Sequence, residues 1–224
     1  KNGHIFIGTP NNGFYRWQYP ERKITHFNKQ DVLSAEPGIK DNVMIPCIAD
    51  HAQNIWFTSN NGIIQYRQHN QQYYHYQAPA TKEVPAMSET SYIAEDRQHH
   101  IWVATRNNGL YELYFENNRP VWKNYTVNSG IGLPSDFNSK IKQDPLDSCL
   151  WINNSLALLR FDPYQKKVLG IFDIQNGFAL DGTGYGFNLF NNGLLVQQFF
   201  GRLSLLDLSS YKKNSIKPSV IFNS

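Results

Sequence analysis

One phrase recurs along this chain. Ile5-Phe6-Ile7-Gly8-Thr9-Pro10-Asn11-Asn12-Gly13 returns as Ile55-Trp56-Phe57-Thr58-Ser59-Asn60-Asn61-Gly62, and again as Ile101-Trp102-Val103-Ala104-Thr105-Arg106-Asn107-Asn108-Gly109. A fourth copy, Leu150-Trp151-Ile152-Asn153-Asn154-Ser155, has a shortened turn, and Leu194-Leu195-Val196 keeps only the apolar run. The second positions of the copies are 6, 56, 102, 151 and 195, so the spacings are 50, 46, 49 and 44. A period in that range is one supersecondary unit copied along the chain.

The third copy shows what one unit encodes. Ser91 to Glu95 mixes apolar and polar residues over a strand-sized window, and the polar run Asp96-Arg97-Gln98-His99-His100 reads as a turn. Ile101 to Thr105 is a short run of strand formers. Arg106-Asn107-Asn108-Gly109 signals a hairpin, because Asn-Gly tolerates the positive φ of a tight reversal. Leu110 to Phe115 alternates again, Glu116 to Pro120 breaks it, and Val121 to Tyr125 makes a fourth strand. Four strands joined by tight turns in roughly 45 residues form one blade of a β-propeller. An acidic residue, Asp50, Asp96 or Asp144, precedes each Trp of the phrase by six or seven positions and reads as an Asx cap on the turn. Phe27, Tyr76, Tyr125 and Phe172 close the outer strands. The aromatics are expected to fill the wedges between blades.

Composition agrees with an all-β chain and narrows its partners. With 224 residues the chain is long enough for a large single core. Aromatics reach 14% while charged residues are only 17%, so Asn, Gln and Ser carry the polarity, as suits half-buried strands and polar turns. The net charge of +3 is too small to imply nucleic acid. The seven His residues show no metal-ligand spacing, and no metal or cofactor is expected. Cys47 and Cys149 fall in different repeats, where a disulfide is geometrically unfavourable.

The expected architecture is an array of about five four-stranded blades, near residues 1–30, 43–77, 91–127, 137–173 and 185–208, with the first blade lacking its inner strand. Five blades can close a ring or belong to a larger, seven-bladed one.

These residues resemble the two-component regulator propeller repeat. Its pattern is an acidic turn, Ile/Leu-Trp-Ile/Val-Gly/Ala-Thr, two or three polar residues, then Gly-Leu and an aromatic strand. Asp96, Ile101 to Thr105 and Gly109-Leu110-Tyr111 follow it almost position by position. Leu133 to Asn138 resembles the family's linker before an inner strand. Asp173 to Phe178, Leu203 to Asp207 and Lys217 to Phe222 resemble its last repeat running into a β-sandwich. By this resemblance 1–216 is propeller and 217–224 opens a sandwich or linker. The fourth repeat lacks the Gly and the fifth lacks the Trp.

The resemblance implies a periplasmic sensor fragment of an inner-membrane hybrid histidine kinase. Such receptors recognise oligosaccharides and regulate transcription of polysaccharide-utilisation genes. Expected partners are an oligosaccharide, a neighbouring propeller, the sandwich, and a second receptor copy in a homodimer. Nucleic acid is not expected to bind this fragment.

Antiparallel order places the loop entering each inner strand on the same face as the hairpin between the second and third strands. That face collects Asn, Asp, Arg, Tyr and Phe, which suits sugar hydroxyls and ring C–H faces. Arg106, Asp136, Asn138, Tyr185 and Arg202 are the candidate ligand-binding residues, with no catalytic role assigned. Arg suits a uronate or sulfate by its rigid fork of donors. An interaction scaffold is the competing reading. An enzyme is the third: a sialidase needs an Arg cluster that Arg106 and Arg202 cannot supply, and nothing marks Asp136, Asn138 and Asn188 as a metal set for a lactonase or lyase.

Overall fold

The computed structural model describes residues 4–9, 12–27, 45–82, 86–176, 187–199 and 202–210. It is an all-β molecule. The first sheet holds β1 (His4–Gly8), β2 (Phe14–Gln18) and β3 (Lys23–Phe27). The second holds β4 (Ile45–Ala49), β5 (Ile55–Ser59), β6 (Gly62–Arg67) and β7 (Gln72–Tyr76). The third holds β8 (Thr90–Glu95), β9 (Ile101–Thr105), β10 (Leu110–Glu116) and β11 (Arg119–Tyr125). The fourth holds β12 (Asn138–Gln143), β13 (Leu150–Asn154), β14 (Leu158–Asp162) and β15 (Lys167–Phe172). The fifth holds β16 (Phe187–Leu189), β17 (Leu194–Phe199) and β18 (Arg202–Asp207).

Within each sheet the strands follow chain order and pair antiparallel. The five sheets stand in a ring, the arrangement of a five-bladed β-propeller. Among the described residues the first blade shows three strands, beginning at the one that carries Phe6, in keeping with the incomplete first blade expected from the sequence. The fifth shows three strands among the described residues, one fewer than the expected four. Residues 211–224 lie outside the described residues.

Trp56, Trp102 and Trp151 hold equivalent places. Each is almost fully buried, and each points into the wedge shared with a neighbouring blade. Trp56 packs with Ile93, Val103 and Leu113 of the third blade. Trp102 packs with Ile141, Ile152 and Phe161 of the fourth, and Trp151 with Phe187 and Leu195 of the fifth. In the first blade Phe6 faces Ile55, Phe57 and Ile64 in the same way. The closing aromatics lie against these rings, with Tyr76, Tyr125 and Phe172 centred 5.6, 5.6 and 5.4 Å from Trp56, Trp102 and Trp151. A buried Trp removes roughly 200 Å² from water, about 5 kcal/mol of gross hydrophobic gain.

The acidic turn residue does more than cap. Trp56, Trp102 and Trp151 donate their indole N–H groups to Asp50, Asp96 and Asp144 Oδ2 at 2.9, 2.8 and 2.7 Å. The other carboxylate oxygen of Asp96 accepts the backbone N–H groups of Gln98 and His100 at 2.8 and 3.0 Å. A large ring can therefore be buried without orphaning its one polar atom. Phe6 has no side-chain N–H and needs no such partner.

Cys47 lies on β4 and Cys149 just before β13, and they form no disulfide.

Candidate functional site

The hairpins and the loops entering the inner strands do meet on one face. Glu89 N–H donates to Asn60 O at 2.9 Å, and Arg106 N–H donates to Glu89 O at 3.1 Å. Gly109 N–H donates to Asp136 O, and Ser155 N–H to Phe137 O, both at 3.0 Å. The loops entering the third and fourth blades are thus stitched to the hairpin of the preceding blade or of their own.

The turn chemistry of the Asn residues dominates. Thr105 Oγ1 donates to Gly109 O at 2.9 Å and accepts from Asn108 N–H at 3.0 Å, and Thr9 closes the first hairpin on Gly13 likewise. The β9–β10 reversal spans the four residues 106–109 rather than two, and Thr105 N–H donates to Gly109 O across it at 3.2 Å. Within it Gly109 takes the positive φ, 72°. Asn108 is buried and accepts from Ser88 Oγ at 3.2 Å.

Between the second and third blades this face opens into a groove of about 650 Å³. Its lining is residues 58–60, 88–91 and Arg106, whose side chains carry hydroxyl, amide, carboxylate and guanidinium groups. Glu89 is held at the rim by Asn107 Nδ2, which donates to Oε2 at 2.9 Å. Thr90 Oγ1 donates to Gly62 O at 3.1 Å and accepts from Ser59 N–H at 3.0 Å, so the groove wall ties the two blades together.

Of the candidate residues, Arg106 lines this groove and is exposed. Asp136 is half-buried, and its Oδ1 accepts from Val127 N–H at 2.8 Å. That bond anchors the single-turn 3-10 helix Val127–Ser129. Asn138 is fully buried: its Oδ1 accepts from Asn154 Nδ2 at 2.9 Å, and its amide donates to Asp136 O at 3.3 Å. Tyr185 lies outside the described residues. Arg202 opens β18 in the fifth blade, and its side chain is likewise outside them. Asp136 and Asn138 belong to the joint between the third and fourth blades, so these candidates do not converge with Arg106 on the groove. Glu89, with Ser88 and Thr90 around it, is a groove residue that is not among the candidates from the sequence. Its signal was a polar run entering an inner strand next to the Arg106 hairpin.

A second cavity, about 300 Å³, lies along the inner strands and is lined by 47–49, 92, 94–95 and 141–143. Burial pushes the Cys47 thiol up to about 12, and burial with the neighbouring Cys47 does the same to the Tyr92 phenol. Both keep their protons at neutral pH, so neither is a ready nucleophile there. Burial lowers the ammonium pKa of Lys142, and burial with the nearby Lys142 charge lowers that of Lys140.

Histidine spacing along the chain suggests no cluster, yet His51, Glu95 and His99 come together where two blades abut. His100 turns away to the buried Glu112, 2.7 Å distant. No helix among the described residues is long and apolar enough to cross a membrane.

No family model and no curated protein matches the sequence. Solved structures do. The extracellular domain of the hybrid two-component system BT4673 from B. thetaiotaomicron superposes with a TM-score of 0.70 at 18% identity, over 99% of this chain and 30% of that one. That of BT3049 from the same organism gives 0.65 at 16%, over 95% and 28%. A gluconolactonase from Xanthomonas campestris, XC5397, gives 0.58 at 11%, over 90% and 70%. The chain spans about 30% of the length of the two receptor domains. At such identities the likeness is one of fold.

Proposed function

We propose that this chain is a sensor segment of an extracytoplasmic receptor of the hybrid two-component kind, and that it takes oligosaccharide in the groove between the second and third blades. The observation that carries this reading is the groove itself. It has about 650 Å³ of space and a lining built of Ser, Thr, Asn, Glu and Arg side chains. Sugars present donors and acceptors at close intervals, and a wall of hydroxyls, amides and a carboxylate answers both. Arg106 adds a fork of donors for a uronate or sulfate. The likeness to two extracellular receptor domains supports the setting on the periplasmic side of an inner membrane.

On this reading the kinase, the control of polysaccharide-utilisation genes and the dimer contact belong to the whole receptor. The blades are rigid, so binding is passed on as a rigid-body shift against a neighbouring propeller and sandwich. A second role as an interaction scaffold has its own support. Ile5, Ile7 and Ile24 on the first blade and Leu203 and Leu205 on the fifth are half-exposed or more. A hydrolase or lyase reading rests on fold likeness alone.

A thermal-shift screen of the chain against neutral and acidic oligosaccharides tests the proposal, because a ligand that binds only the folded state raises the midpoint. At least one sugar is expected to stabilise the chain and to be recovered unchanged. Arg106→Ala and Glu89→Gln are each expected to weaken that sugar about tenfold or more, about 1.4 kcal/mol. A flat response to every sugar, or turnover of the bound one, overturns it.

A further inference from the structure

The turns that carry the Asp–Trp bonds also assemble three metal-ligating side chains. His51 follows Asp50 in the turn from β4 to β5. Glu95 ends β8, and His99 sits in the turn from β8 to β9. His51 Nδ1 and His99 Nδ1 approach the same atom, Glu95 Oε1, the latter at 3.2 Å. The other carboxylate oxygen accepts the His51 backbone N–H at 2.8 Å, which fixes the carboxylate between the rings. The imidazoles stack with centroids 3.7 Å apart and planes at 29°. All three donor atoms lie within 4.8 Å of one another.

We propose that His51, Glu95 and His99 form a binding site for a divalent transition-metal ion, Zn²⁺ in chemical class, that ties the second blade to the third. The donor set decides the class. Two imidazole nitrogens and one carboxylate oxygen suit Zn²⁺, Co²⁺ or Ni²⁺, whereas Ca²⁺ and Mg²⁺ take oxygen ligands. Tetrahedral bonds of about 2.0–2.1 Å place donors roughly 3.3 Å apart. His99 Nδ1 already stands at that separation from Glu95 Oε1, and ring rotations would open the tighter His51–Glu95 contact to match it. His51 and His99 are 52% and 54% exposed, so an ion reaches them from solvent and the rings have room to turn. Glu95 is only 15% exposed and serves as the fixed member.

One divalent ion satisfies all three donors at once. Three protein ligands leave the fourth position to water, the form of an open site. The site stands at the opposite end of the blades from the polar groove, because the β4–β5 turn and the β5–β6 hairpin lie at opposite ends of β5. It also adjoins the second cavity, along the inner strands, which Glu95 lines.

The test is a calorimetric titration of the chelator-stripped chain with ZnCl₂, alongside His51→Gln, His99→Asn and a His69→Gln control. Asn is chosen at 99 because the backbone there has φ of 65°, which Asn tolerates. The wild-type chain and the control are expected to bind one equivalent, and the two site variants to lose tenfold or more in affinity. At a hundredfold excess over Kd the unfolding midpoint rises by about 5–10 °C, and EDTA reverses the rise. Absence of stoichiometric uptake by the wild type, or site variants within twofold of it, overturns the proposal. Should a variant fail to fold, the visible spectrum of Co²⁺-loaded wild type decides. Intense four-coordinate bands support the site, and the weak spectrum of hydrated Co²⁺ overturns it.

Discussion

Asp96 shows how a single side chain commits a strand to the interior. Its carboxylate takes the Trp102 indole and two backbone N–H groups, so removing it orphans the buried indole N–H and unties the turn, whose residues 97–99 are exposed to solvent. Each orphaned donor costs about 1–3 kcal/mol. Asp96→Ala is expected to lower stability by about 2–3 kcal/mol in urea unfolding, most of it from the buried indole, and Asp96→Asn, which keeps one acceptor, by about 1–2 kcal/mol. Equal losses would show that the indole bond contributes nothing beyond the turn. Glu112 makes a second residue-scale case. It is 1% exposed on β10. It accepts from Lys166 Nζ at 2.6 Å and Tyr125 OH at 2.7 Å, with His100 Nδ1 also at 2.7 Å. Burial raises its pKa, but the hydrogen bonds from Lys166, Tyr125 and His100 outweigh it and hold the carboxyl below the usual glutamate range. A carboxylate depressed in the fold stabilises above its unfolded value, and that contribution is lost as pH falls through the folded one. The stability difference between wild type and Glu112→Gln is therefore expected to be constant at neutral pH and to shrink below about pH 4.3. A difference that holds unchanged to acid pH would sink this account.

At the scale of the element, the hairpins decide how closely strands approach. A Cβ on Gly109 would lie 2.1 Å from Tyr125 O, at a φ of 72°. Gly130 has the same φ but nothing within 4 Å of such a Cβ. Gly130→Ala is expected to cost about 1–2 kcal/mol from the backbone alone. Gly109→Ala is expected to cost clearly more, because the outer strand β11 must move away. Thermal unfolding of the pair separates conformational strain from steric exclusion, and equal midpoints would show that the loop absorbs the clash. These elements also mark how far the sequence is legible. The run Ile101 to Thr105 coincides with β9, because β-branched and aromatic residues between turn signals leave few alternatives. The wedge positions of the three Trp residues follow from their spacing. Asn138 did not follow: a loop amide facing a ligand and one bonded to Asn154 look alike in sequence. Nor did the His51–Glu95 contact, because its partners are 44 residues apart and meet only when two blades pack.

For the whole molecule, the terminal blades pose the sharpest question. Each internal wedge is filled by apolar side chains from both sides. The face of the first blade turned away from Phe6 carries Ile5, Ile7 and Ile24, exposed by 49, 52 and 67%. The face of the fifth turned away from Leu195 carries Leu203 and Leu205, exposed by 61 and 62%. Rows of alternating apolar side chains on a sheet face are built to be covered. In the isolated chain nothing in the described structure covers them, so they are expected to drive association between copies. Sedimentation velocity over a range of concentrations should show reversible dimers or higher species. Ile7→Lys with Leu205→Lys, both on outward faces, should shift the chain towards monomer while leaving the unfolding midpoint within a few degrees. Charges placed there lose no packed neighbour, whereas a charge at Leu195, on the covered face of the same sheet, would unfold the blade. A wild-type chain that stays monomeric at high concentration would mean that the two faces are already shielded, and the double variant would then lower the midpoint instead.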